Sequence, residues 1–90
     1  MNKRIVLFID KGCPHCEDVI NKLNEKNIKF DKIDINESTY FWKVIVEYTE
    51  QDYVPTLLTF DYEDNWKIYT PIKDYSNTDE LLSLIEKIIK

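Results

Sequence analysis

The only two cysteines of this 90-residue chain stand together in Cys13-Pro14-His15-Cys16. Thiols at this spacing can cycle between dithiol and disulfide, or supply part of a metal site. A bridge so local closes a very small loop and contributes little through chain entropy, which disfavours a purely structural staple. A structural zinc needs four ligands, whereas the chain offers two Cys and one His, with His15 inside the pair itself. No second Cys/His cluster accompanies it, so no bound metal is expected. Redox chemistry is the remaining specific use, and the elements around the pair decide whether it is supported.

A dithiol catalyst needs one accessible sulfur and a second that reaches it from within a helical turn. Pro14 fits the first position of a helix, where its missing N–H has no partner to lose. Val19, Ile20 and Leu23 follow Cys16 at helical spacing, which predicts a helix over Pro14 to Glu25. Cys13 then precedes that helix, among the unpaired N–H groups and at the positive end of the helix dipole, a placement that favours thiolate over thiol. Cys16, one turn inside on the apolar side, is expected to be more buried. Cys13 therefore attacks and Cys16 resolves. Pro14 fixes the turn, Gly12 lets backbone and substrate approach closely, and His15 can place a hydrogen bond or a charge near Cys13. The plainer reading of His15 is a solvent-facing spacer.

The rest of the chain reads straight through without repeats or linkers, as one domain over residues 1–90. Arg4 to Ile9 is a short apolar run, consistent with a strand buried on both faces. Its basic start, Met1-Asn2-Lys3-Arg4, has a weak likeness to a secretory signal, but Asp10 interrupts the run and no small-residue cleavage site follows. Ile28 to Ile35 predicts a second strand whose alternation slips, as at a bulge or a sheet edge. Asn36 can cap a second helix with Tyr40, Phe41, Val44, Ile45 and Tyr48 as its apolar face. Thr56 to Phe60 and Trp66 to Thr70 form an antiparallel hairpin around the acidic turn Asp61 to Asn65. Asn77 and Glu80 predict a capped last helix with Leu81, Leu82, Leu84, Ile85, Ile88 and Ile89 on one face, and Lys87 and Lys90 near its negative end. The order β-α-β-α-β-β-α implies an α/β fold, a four-stranded mixed sheet flanked by helices with a right-handed crossover. The aromatics Tyr40, Phe41, Trp42, Tyr48, Trp66 and Tyr69 fall at element periodicity, which predicts core packing for most of them.

Composition excludes several other functions. Gly12 is the single glycine, so P-loops and dinucleotide fingerprints are absent. Twelve basic against seventeen acidic residues give a net charge of −5, with the acidic excess in the second half. Without a basic patch, nucleic acid is not an expected partner. Nor is a membrane, since no apolar stretch approaches the roughly 20 residues that cross a bilayer. The acidic turn lacks the length and the glycine bend of a calcium loop. The default setting is a reducing cytoplasm, where such a cysteine pair is more often redox-active or metal-binding than structural.

Val54-Pro55-Thr56 is, on its own, a proline at the first position of a strand. Together with Phe8-Ile9-Asp10-Lys11-Gly12-Cys13-Pro14-His15-Cys16 and the element order, it resembles the glutaredoxin family of the thioredoxin-like superfamily, over essentially the whole chain. The resemblance implies a cis Val54–Pro55 bond beside Cys13, with the Val54 backbone pairing with the bound thiol partner like an added strand. It implies glutathione as co-substrate, with no tightly bound cofactor, and a monomer acting on disulfide-containing proteins. Lys11, Asn77, Thr78 and Asp79 would then contact glutathione, Asn77 and Thr78 receiving a carboxylate at the helix start and Asp79 facing the amine. The chain departs from the family in having Asp10 where a basic residue is usual, and Tyr75-Ser76-Asn77-Thr78-Asp79 where a glycine pair leads into the last helix. Pro-His between the cysteines is familiar from larger, exported dithiol oxidases, Pro-Tyr being commoner in glutaredoxins. Ordinary capping explains Asn77 to Glu80 equally well.

Three functions follow. The first is a glutaredoxin-like oxidoreductase for protein or glutathione mixed disulfides. The second is a redoxin served by a thioredoxin-type reductase and donating electrons to ribonucleotide reductase. The third is a thioredoxin-fold binding module whose thiols are vestigial or bridge a metal cluster between subunits.

Overall fold

The computed structural model describes residues 3–61, 63 and 65–89. Met1, Asn2 and Lys90, and residues 62 and 64 of the acidic turn, lie outside them. Among the described residues, seven elements follow in the expected order: β1 (Arg4–Ile9), α1 (Pro14–Glu25), β2 (Asp31–Asp34), α2 (Thr39–Thr49), β3 (Thr56–Phe60), β4 (Trp66–Tyr69) and α3 (Thr78–Ile89). The sheet runs β2-β1-β3-β4, with β1 parallel to β2 and antiparallel to β3, and β3 antiparallel to β4. This is the mixed sheet of a thioredoxin-like fold.

The central strands are largely apolar, with Thr56 and Thr59 buried among them, because both their faces are covered. Alternation divides β1 between two cores. Ile5 and Leu7 join Leu57, Val19 and Leu23 of α1, Tyr75, and Leu81, Leu82 and Ile85 of α3. Val6 and Phe8 join Leu58 and Ile45 of α2 on the opposite side. Helices α1 and α3 therefore cover one face of the sheet and α2 the other. The register agrees, since Leu7 pairs with Leu57 and Val6 with Leu58, and paired residues share a face.

The slipped alternation of the second strand has a simple cause. The strand begins only at Asp31 and forms one edge of the sheet. Ile28 and Phe30 lie before it and pack on the α1/α3 core, whereas Ile33 and Ile35 pack on the α2 core. The chain leaves α1 through Asn27 at φ 57°, and Ile28 N–H returns to the Leu23 carbonyl at 3.0 Å. Asparagine tolerates this left-handed conformation better than most residues.

Two expectations need correction. Helix α2 starts at Thr39 behind Ser38, which makes no side-chain cap bond, so Asn36 lies before the cap. Its N–H donates to Asp34 Oδ1 and its side chain to Asp10 Oδ1, both at 2.8 Å. Most of the six aromatics are also not core residues. Tyr40 is 82% exposed, Tyr48 66%, Trp66 52% and Phe41 40%, while Trp42 and Tyr69 are partly buried. Helical spacing marks a face that can be buried, but only one helix packs on this side, and Ile45 alone on α2 is fully covered.

Candidate active site

Cys13 occupies the N-cap of α1 with extended backbone, and Pro14 begins the helix. Its Sγ accepts the Cys16 N–H at 3.2 Å, and its own N–H donates to the Asp10 carbonyl at 3.1 Å. A first-turn N–H that has no carbonyl partner inside the helix thus points at the outer sulfur. The loop reaches this position through Gly12 at φ 83°, a conformation that side-chain-bearing residues rarely adopt.

The two thiols occupy different environments. Cys13 is half-buried and Cys16 is buried at 1% exposure on the inner side of α1. Burial pushes the Cys16 thiol up to about 12, and its hydrogen bond with Cys13 and the negative charges of Cys13 and Asp10 add to the rise. A backbone hydrogen bond from Asp10 offsets part of it. Cys16 is therefore a neutral thiol at physiological pH.

The Val54–Pro55 bond is cis, as the family resemblance implies. A groove of about 90 Å³ beside it brings together His15, Val54, Pro55, Asn77 and Thr78, with Tyr75 among its walls. These five residues come from three segments distant in sequence. Lys11 is exposed and does not line the groove. Asp79 lies outside it as well, 3.6 Å from Lys22 Nζ with a side chain 88% exposed. Asn77 caps α3, its Oδ1 accepting the Glu80 N–H at 2.9 Å. Glu80 reaches back to the Ser76 N–H at 2.7 Å, one residue earlier than a capping box predicts.

Sequence reasoning missed Tyr75. It is buried, and its hydroxyl donates to the Pro55 carbonyl, tying the proline turn to the approach of α3. Burial, with the charges of Asp74 and Cys16, raises its phenol well above the usual range, so it stays protonated. No periodicity marks it, because it belongs to neither a strand nor a helix. Among the described residues no group of three or more His, Cys, Asp or Glu is placed to hold a metal ion, and no helix is long and apolar enough to cross a membrane.

Comparison with known proteins agrees with this geometry. The glutaredoxin family matches residues 5–60. A curated relative, the N-acetyl-S-hydroxy-L-cysteine reductase of Bacillus subtilis (strain 168), is 52% identical over 33 residues, which cover 37% of this chain and 36% of that protein. The chain thus aligns with little more than a third of that relative's length. A buckwheat glutaredoxin in complex with glutathione superposes with a TM-score of 0.61 at 15% identity, covering 94% of this chain and 70% of the other. Thioredoxin O2 from Arabidopsis thaliana in its oxidised state gives 0.59 at 22% identity, over 98% and 76% of the two chains. These two likenesses establish the shared fold.

Proposed function

Because the chain belongs to the glutaredoxin family and is in general terms a thiol oxidoreductase, we propose that it reduces protein or glutathione mixed disulfides through Cys13 and Cys16. The observation that carries this reading is the asymmetry of the pair: an accessible Cys13 sulfur facing a helix N–H, and a buried, protonated Cys16 one turn away. Cys13 thiolate attacks the substrate disulfide, one substrate thiol leaves, and a mixed disulfide forms. Cys16 then attacks Cys13 Sγ, releasing the second substrate thiol and leaving the Cys13–Cys16 disulfide. A thiol donor regenerates the dithiol.

The groove beside Pro55 supports a partner bound through the Val54 backbone, with Asn77 and Thr78 in reach of it. Glutathione is the reductant this reading favours, and a thioredoxin-type reductase is its competitor. Neither Lys11 nor Asp79 lies in the groove, so any contact they make with glutathione is outside it. Turnover of a mixed disulfide with glutathione and its reductase, absent with thioredoxin reductase, is the expected outcome. The reverse pattern would make the protein a redoxin of the second kind. Cys13→Ser abolishes turnover in either case, and retained activity in that variant contradicts the mechanism.

A second reading draws on the reductase relative. In place of a disulfide, Cys13 thiolate would attack the sulfur of a small S-hydroxycysteine, expelling hydroxide, which leaves as water after taking up a proton. The product is again a mixed disulfide for Cys16 to resolve. Faster turnover with such a sulfenic acid than with glutathione disulfide supports this reading.

A further inference from the structure

The face of the sheet under α2 has no part in the thiol chemistry, and it is incompletely covered. Phe41, Val44 and Tyr48 of α2 and Trp66 and Ile68 of β4 line a hollow of about 480 Å³. The Tyr48 and Trp66 rings lie 5.4 Å apart between centroids, so the helix and the edge strand form one surface. Phe41, Val44, Tyr48 and Trp66 all stay exposed. At about 200 Å² for a whole aromatic side chain they leave roughly 400 Å² of apolar surface. A stable interface buries about 800 Å² per partner, a little over half of it apolar. The patch matches that apolar share.

We propose that a second copy of this chain covers the hollow, the two β4 strands pairing antiparallel about a two-fold axis so that the sheets join into one. This interface is independent of the redox reading and replaces the monomer that the family resemblance implies. The two edges of the sheet are β2 and β4. Three of the four β2 residues are charged, Asp31, Lys32 and Asp34, which is a usual protection against strand addition. Strand β4 carries Lys67 alone and is the unprotected edge. Charge also favours a copy of the chain over another partner. Lys43 and Glu47 are the only charged residues among the eleven of α2, so with Lys67 the helix and strand sum to +1, in a chain of net −5. Two copies meeting here avoid the like-charge repulsion of the remaining surface, and no rim of a single sign selects a charged partner.

The register follows from the pleat. Antiparallel neighbours share a face, so the two-fold passes through a residue and not between two. Through Lys67 it would set two ammonium groups opposite each other. Through Ile68 it sets Ile68 against the second copy's Ile68 on the side of the hollow, and Lys67 against the second copy's Tyr69. Within one chain the Lys67 Nζ already lies 5.9 Å from the Tyr69 ring centroid, a cation–π pairing that this register repeats across the axis. No residue lining the hollow lines the groove beside Pro55, so both active sites stay open.

Sedimentation equilibrium of the reduced full chain, from micromolar to millimolar concentration, tests the proposal. The mass should rise reversibly toward twice that of the chain, and the β4 amides should gain protection from hydrogen exchange as it does. Tyr48→Lys, at an exposed position, is expected to weaken the dimer by about a hundredfold while leaving disulfide turnover unchanged. Ile89→Lys, at an exposed apolar position on α3, should leave the dimer intact. Should Tyr48→Lys not fold, Val44→Lys is judged in the same way. A chain that stays monomeric throughout overturns the proposal, and an apolar dye bound beside Tyr48 in that monomer assigns the hollow to a different occupant. A dimer weakened equally by Ile89→Lys, or one whose β4 amides exchange as fast as in dilute protein, overturns it as well.

Discussion

The two faces of the sheet differ sharply. On one, α1 and α3 build, among the described residues, a core of nine buried side chains, Cys16 of α1 is itself buried, and exposure of Val19, Leu23, Leu57 and Ile85 falls to 0%. On the other, α2 alone packs, and among the described residues the core is four side chains, Val6, Phe8, Leu58 and its own Ile45, while Phe41, Val44, Tyr48 and Trp66 line an open apolar hollow of about 480 Å³. The proposed chemistry belongs to α1, on the better covered face. The thiol proposed to resolve, Cys16, shares the dryness of that face at 1% exposure.

Core truncations should separate the faces most strongly. Leu23→Ala on α1 is expected to cost about 3 kcal/mol in urea unfolding, because the deletion leaves a cavity among rigid neighbours. A cost below about 1 kcal/mol would mean that this face is no better packed than the other.

Alkaline pH probes the same face through its titrating groups. Cys16 ionises near its ordinary value of 9.0 when unfolded and near 12 when folded. Between those values the unfolded chain has lost a proton that the folded one keeps, so ionisation pulls toward unfolding. Stability of the reduced protein from this source is intact below about pH 9 and lost as pH rises toward about 12. Tyr75, also raised, adds to the loss above pH 10. Cys16→Ala should flatten this dependence, and an unchanged slope would deny the buried neutral thiol.

Tyr75→Phe removes the hydroxyl and leaves the Pro55 carbonyl without that donor. It should cost about 1–2 kcal/mol and weaken binding in the groove, read as a higher KM. The smallest effect belongs to the other face: Tyr40→Ser, at an 82% exposed position, should change stability by no more than about 0.5 kcal/mol.

The same contrast explains which features could be read from residues alone. β1, α1 and β3 match their expected limits, because an apolar run bounded by Asp10 and a proline at each following start are local signals. The roles proposed for Cys13 and Cys16 rest on their positions at the start of one helix, which is also a local signal. The cis bond came from family likeness, since a valine-proline pair by itself permits either isomer. Tyr75 escaped notice, and Asn36 was assigned a cap instead of its bond to Asp10, because their partners, Pro55 and Asp10, are distant in sequence. The aromatics of α2 misled for a related reason: periodicity shows which side of a helix is apolar, and only the number of covering elements shows whether it becomes dry.

The central claim is that Cys13 is the attacking thiol and Cys16 the resolving one. Intact-mass and peptide analysis of Cys16→Ser after exposure to glutathione disulfide tests it most directly. The account predicts one glutathione per chain, attached at Cys13 and persisting because nothing resolves it. No adduct on Cys13, or an equally rapid adduct on Cys16 in the Cys13→Ser protein, would contradict it.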